Sequence, residues 1–108
     1  MRQAHKLRSH PTLIKLFRRM NKAWFRNRLP AGTVVRFCRL NKKIVADAVP
    51  GEIRMNTRFR DCPRITEMTL LHEMVHLLLW GGGEDDHGDK FQAEMLRLAQ
   101  AGAFRYCW

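Results

Sequence analysis

The sequence predicts a small α+β domain: an N-terminal helix, a small three-stranded antiparallel sheet, a central helix and a C-terminal helix. Three observations carry this. Leu13, Leu16, Phe17, Met20 and Trp24 recur at helical spacing and define one apolar face. Three short stretches rich in β-branched residues follow, separated by turn formers. From about Thr66 to Trp80 the helical pattern returns, and it carries two histidines four residues apart.

Ser9 or Thr12 can cap the first helix, with Pro11 tolerated in its opening turn, and Leu29-Pro30-Ala31-Gly32 stops it. Thr33 to Leu40 alternates Val35, Phe37 and Arg39 against Val34, Arg36 and Cys38. Ile44 to Val49 is apolar, and Pro50-Gly51 turns the chain into Glu52 to Asn56. These segments predict an antiparallel meander with a basic outer face. Gly81-Gly82-Gly83 ends the central helix, since glycine runs do not sustain helices. After the acidic loop Glu84-Asp85-Asp86, a last helix is expected from Asp89 as N-cap to about Gln100, with Phe91, Met95, Leu98 and Ala99 inward and Gly102 at its stop.

A chain of 108 residues with 45% apolar content is sized for one domain with a thin core. Its net charge of +10 is unevenly spread. Residues 1–65 hold 17 basic and 3 acidic side chains; residues 66–108 hold 3 basic and 7 acidic. A half so basic suits a polyanionic partner, nucleic acid before an anionic membrane surface, and the competing account is a solvated, solubilising face. Cys38, Cys62 and Cys107 lack CxxC spacing and an even count, which argues against a disulfide framework and a zinc ribbon and fits a reducing compartment. No stretch is apolar for long enough to serve as a signal peptide or to cross a bilayer. The expected protein is soluble and cytoplasmic, nucleoid-associated or nuclear if it binds DNA, and monomeric.

His72-Glu73-Met74-Val75-His76 is the most informative segment. On a helix, side chains at i and i+4 project from one face a turn apart, so both imidazoles can reach one ion at about 2.0–2.1 Å. Glu73 then lies beside the site, outside the coordination shell, where a carboxylate can take a proton from water as general base. Residues 68–71 and 74–80 carry no charge, so the helix is buried and two histidines on it need partners. A metal provides them; hydrogen-bonded core histidines are the alternative. Catalytic zinc sites keep one position open, which requires a third protein ligand. His87, after the glycine turn and beside Gly88, is the first candidate, and Glu94 on the following helix is its rival. Glu84, Asp85 and Asp86 can orient a ligand histidine, and Arg105 or Tyr106 can stabilise an oxyanion, although nothing in the sequence positions them. His5 and His10 read as non-ligands.

These residues resemble the SprT-like family, which includes the Spartan DNA–protein crosslink proteases. His72-Glu73-Met74-Val75-His76 followed by His87-Gly88-Asp89-Lys90-Phe91 is similar to the family's HExxH…HGxxF pattern. Phe17 to Pro30, with Asn21, Trp24, Phe25 and Leu29-Pro30, is similar to its opening helix and turn, and Gly51 to Asn56 to the strand before the motif helix. The resemblance implies a minimal zincin fold, one zinc ion on His72, His76 and His87, and Glu73 as catalytic acid/base. It also implies protein substrates on or attached to DNA. Many relatives carry a C-terminal cysteine zinc ribbon, which three scattered cysteines cannot build, so the expectation is a single peptidase domain over residues 1–108 that contacts DNA itself. Arg18, Arg19, Lys22, Arg26, Arg36 and Arg39 are the candidate phosphate contacts. Trp24 suits base stacking or the core, and the core is preferred. The expected function is zinc-dependent cleavage of DNA-bound or crosslinked proteins. The alternative is a nucleic-acid-binding module with a structural zinc site, and a third is docking onto an acidic protein.

Overall fold

The computed structural model describes residues 8–81 and 87–105. Its elements follow the expected order of helix, three strands, helix, helix. Helix α1 spans Pro11–Phe25 and buries Leu13, Phe17, Met20 and Phe25. Neither Ser9 nor Thr12 is its cap: the His10 ring nitrogen Nδ1 accepts from the Thr12 N–H at 3.2 Å. Ser9 instead accepts from the Val35 N–H at 2.9 Å, tying the N-terminal segment to the first strand. The helix also stops earlier than Leu29-Pro30. Arg26 and Asn27 adopt left-handed backbone with φ of 53° and 57°, which ends the 3.6-residue repeat. Buried Asn21 then holds the returning chain, donating to the Leu29 carbonyl at 3.0 Å and accepting from its N–H at 3.2 Å.

Strands β1 (Val34–Cys38), β2 (Ala46–Val49) and β3 (Glu52–Asn56) form one sheet. The antiparallel meander is incorrect. The strand order is β1-β3-β2, with β3 antiparallel to β2 but parallel to β1. Alternation along a strand assigns its faces and says nothing about which strand lies beside it. Neighbours are settled by packing and by charge. Register places Val35, Ile53 and Ala48 in one row and Phe37, Met55 and Ala46 in the next, all on the helix-facing side. The opposite face holds Arg36 and Arg54 directly across from each other. Each arginine is neutralised across a strand boundary, Arg36 by Glu52 and Arg54 by Asp47, so the central strand bonds to both neighbours through its charges as well as its backbone. Buried Asn56 closes the β1–β2 connection by donating to the Ile44 carbonyl at 2.7 Å.

Helix α2 spans Pro63–Leu78, with Pro63 in the first turn where its missing N–H costs nothing. It packs across β2 and β3 with Leu70, Leu71, Met74 and Val75 fully buried. Leu79 caps it and Gly81 follows with φ of +80°; Gly82, Gly83 and the acidic loop lie outside the described residues. Helix α3 spans Asp89–Ala101 and packs on α2. Gly88, not Asp89, is its N-cap, so Asp89 complements the helix dipole from the first turn. Phe91 and Leu98 are buried and Met95 is half-buried, whereas Ala99 is exposed. Gly102, at φ +93°, accommodates the left-handed stop. No described helix is long and apolar enough to cross a membrane.

Candidate metal centre

The site is built from one turn of α2 and the segment that leads into α3. His72 and His76 stand on α2 one turn apart, and their Nε2 atoms are 3.1 Å from each other. His87, two residues before α3, brings its Nε2 to 3.3 Å from that of His72. All three rings present a nitrogen within 4.8 Å of the others. Four ligands at about 2.0–2.1 Å in a tetrahedron stand about 3.3–3.4 Å apart, so these separations are those of a shared ion. Pairwise hydrogen bonding fits less well. One ring nitrogen either donates or accepts, and His72 Nε2 faces two partners at once. The donor set therefore fits a divalent metal with imidazole preference and one open position.

Burial, then the neighbouring His76 and His87 charges, pushes the His72 pKa down to about 4. The ring is thus neutral near pH 7, the form that binds metal. Phe91 supports all three rings, with centroids 4.9 Å from His72, 4.6 Å from His76 and 4.9 Å from His87, stacked on His76. The inward place of Phe91 on α3 was legible in the sequence; that it would underlie every imidazole was not, although it follows His87 by four residues. Gln92 is a second supporting residue, and no sequence signal marks it. Its side-chain amide donates to the His87 carbonyl at 3.3 Å.

Glu73 is 7% exposed, and on the helix it lies roughly 60° around from His76, between the ligand face and the core side of α2. Glu94 is bound to Arg97 on its own helix and is not part of the histidine cluster. Arg97 also donates to the Trp24 carbonyl at 2.8 Å, and the Trp24 ring is half-buried against the core. Arg105 lies in the turn after α3, while Tyr106 and the acidic residues 84–86 are outside the described residues. A cavity of about 480 Å³ opens between α2 and α3, with His72 in its wall.

The candidate phosphate contacts divide. Arg18, Arg19 and Lys22 are exposed and share with Lys15 a stripe of roughly 100° on α1, opposite its apolar face. Arg19 also approaches Glu67 on α2 at 3.7 Å. Arg26 at the end of the helix and Arg39 after β1 are exposed. Arg36 is half-buried and paired with Glu52 on the sheet's outer face, which lowers its availability to phosphate.

No curated protein and no solved structure matches the chain. The SprT-like family model does match, over residues 13–107, a span that takes in most of α1, the sheet, both site helices and all three clustered histidines. A match over nearly the whole length, on a chain whose histidines converge as a metal site demands, places this protein in the SprT-like family, with its zincin-like, metalloprotease-type domain.

Proposed function

We propose that the protein is a zinc-dependent metalloendopeptidase that acts as a monomer on proteins bound or crosslinked to DNA. The convergence of His72, His76 and His87, with Glu73 following His72 on the same helix, carries the reading. The three imidazoles hold the ion and leave one position for water or substrate. When bound, zinc supplies Lewis acidity toward a peptide carbonyl and acidifies water. Glu73 accepts the proton of the attacking water and returns it to the departing amine nitrogen. Its burial keeps the carboxylate in a setting of low dielectric, next to the ligand face of α2. Phe91 and Gln92 restrict the motion of the ligand rings, so the coordination geometry exists before substrate arrives.

The DNA-linked substrate class rests on the basic stripe of α1, which is the face a polyanion would meet. That same stripe favours a second reading, a nucleic-acid-binding module whose zinc is structural. A structural site is normally closed by four protein ligands, and three are present among the described residues.

Wild type and Glu73→Gln, each assayed for zinc content and for cleavage of a DNA-binding protein with and without DNA, separate the two. Zinc in both with cleavage by the wild type alone supports the peptidase. Zinc in both with no cleavage by either supports the binding module. Cleavage unaffected by DNA would remove the proposed substrate class and leave the peptidase.

A further inference from the structure

The cavity between α2 and α3 has a composition that selects among substrates. Met68 lies one helical turn before His72, and Met95, Leu96 and Ala99 line the facing side of α3. Phe104, buried in the turn that follows α3, adds an aromatic surface. None of the lining residues carries a formal charge, and the polar groups besides His72 are Thr69 and Gln92. At about 480 Å³ the cavity is within the range of small-ligand sites and has room for a large side chain with its flanking backbone. Of the three clustered histidines its wall includes His72, so it meets the metal centre at that one residue. A peptide held at the metal centre would lay a neighbouring side chain against this space on the His72 side.

We infer that the cavity is the specificity pocket for a large apolar side chain (Leu, Met or Phe) flanking the scissile bond, an inference that rests on the peptidase reading. The walls offer no oppositely charged partner to an Asp, Glu, Lys or Arg side chain, which would lose hydration on entry. The two methionines are unbranched and polarizable, so they adapt to both branched and aromatic occupants. Leu96 is 58% exposed and stands at the rim, which makes it the residue best placed to admit or refuse a side chain without disturbing the core.

Two measurements test this. In the first, short peptide amides differing at one central residue are titrated into zinc-loaded Glu73→Gln protein, and into metal-stripped wild type, while the Met68 and Met95 methyl resonances are followed by NMR. Leu, Met and Phe peptides are expected to shift both methyls and to bind about tenfold tighter than Asp or Lys peptides. In the second, the cleavage sites of a peptide mixture are sequenced for zinc-loaded wild type, Leu96→Glu and Ala99→Phe. Wild type is expected to prefer large apolar residues beside the cut, Leu96→Glu to accept Lys and Arg there, and Ala99→Phe to shift toward small residues. Methyl shifts without cleavage by any zinc-loaded protein would leave the pocket standing and overturn the peptidase reading. Cleavage with no apolar preference, or one unchanged in both variants, would overturn the pocket and leave that reading intact. Charged and apolar peptides shifting the methyls alike would also overturn it.

Discussion

The side-chain amide of Gln92 donates to the main-chain carbonyl of His87 at 3.3 Å, so the first turn of α3 holds the segment that presents the third imidazole. His87 itself is exposed and precedes the helix, whereas His72 and His76 are fixed by the α2 backbone. The third imidazole is therefore the one whose main-chain segment is held by a side chain.

Replacing Gln92 by Ala should weaken zinc binding by about tenfold, the lower end of what outer contacts to metal ligands contribute. Gln92 is exposed, so the fold should persist. Gln92→Glu should show the same loss, because a carboxylate cannot donate to a carbonyl. Competition against a chromophoric chelator measures both, and unchanged affinity would show that His87 is held by other means.

Chelation should lower the melting temperature, because an ion bound only by the folded state adds about 4 kcal/mol when present at a thousand times its dissociation constant. His87→Ala should shrink that difference, and Glu73→Gln should preserve it. Differential scanning fluorimetry with and without chelator reports the effect. Equal melting temperatures in both states would argue that the histidine cluster holds no ion.

The metal-free protein should lose stability as the pH falls from 6.5 toward 4. Burial holds the folded His72 at about 4 against an unfolded value of 6.5. In that window the unfolded chain binds a proton that the folded chain refuses, so protonation favours unfolding; above 6.5 both states are neutral and the contribution is constant. Urea midpoints of the metal-stripped protein across this range should fall, and more gently in His72→Gln. Identical slopes would contradict it.

Asn21→Ala should destabilise the fold by about 2 kcal/mol, since it strips partners from a buried N–H and carbonyl at Leu29 together. The cost should be seen in urea unfolding of the zinc-loaded protein, with zinc affinity little changed because Asn21 is remote from the histidines in the chain. A neutral result would imply that water replaces the amide.

If the α1 stripe meets DNA, Arg18→Glu combined with Lys22→Glu should lower the salt dependence of binding by about two counterion units, close to 0.9 for each phosphate no longer neutralised. Arg36→Gln should change it little, because Glu52 already neutralises that guanidinium. Fluorescence anisotropy over a range of salt concentrations decides between them. A slope unchanged by the α1 double variant would return the stripe to a purely solvating role.

The elements and the spacing of the α2 histidines were legible in the order of the residues. A period near 3.6 marks α1, Pro50-Gly51 marks the β2–β3 hairpin, and four-residue spacing puts His72 and His76 on one face, because all three are local properties of the backbone. The folded molecule was needed for everything non-local: β3 between its neighbours, His87 and not Glu94 beside the first two histidines, Phe91 beneath them and Gln92 behind. Such choices arise from which surfaces bury each other and which charges neutralise each other across the fold, and alternation along one segment holds no record of its partner.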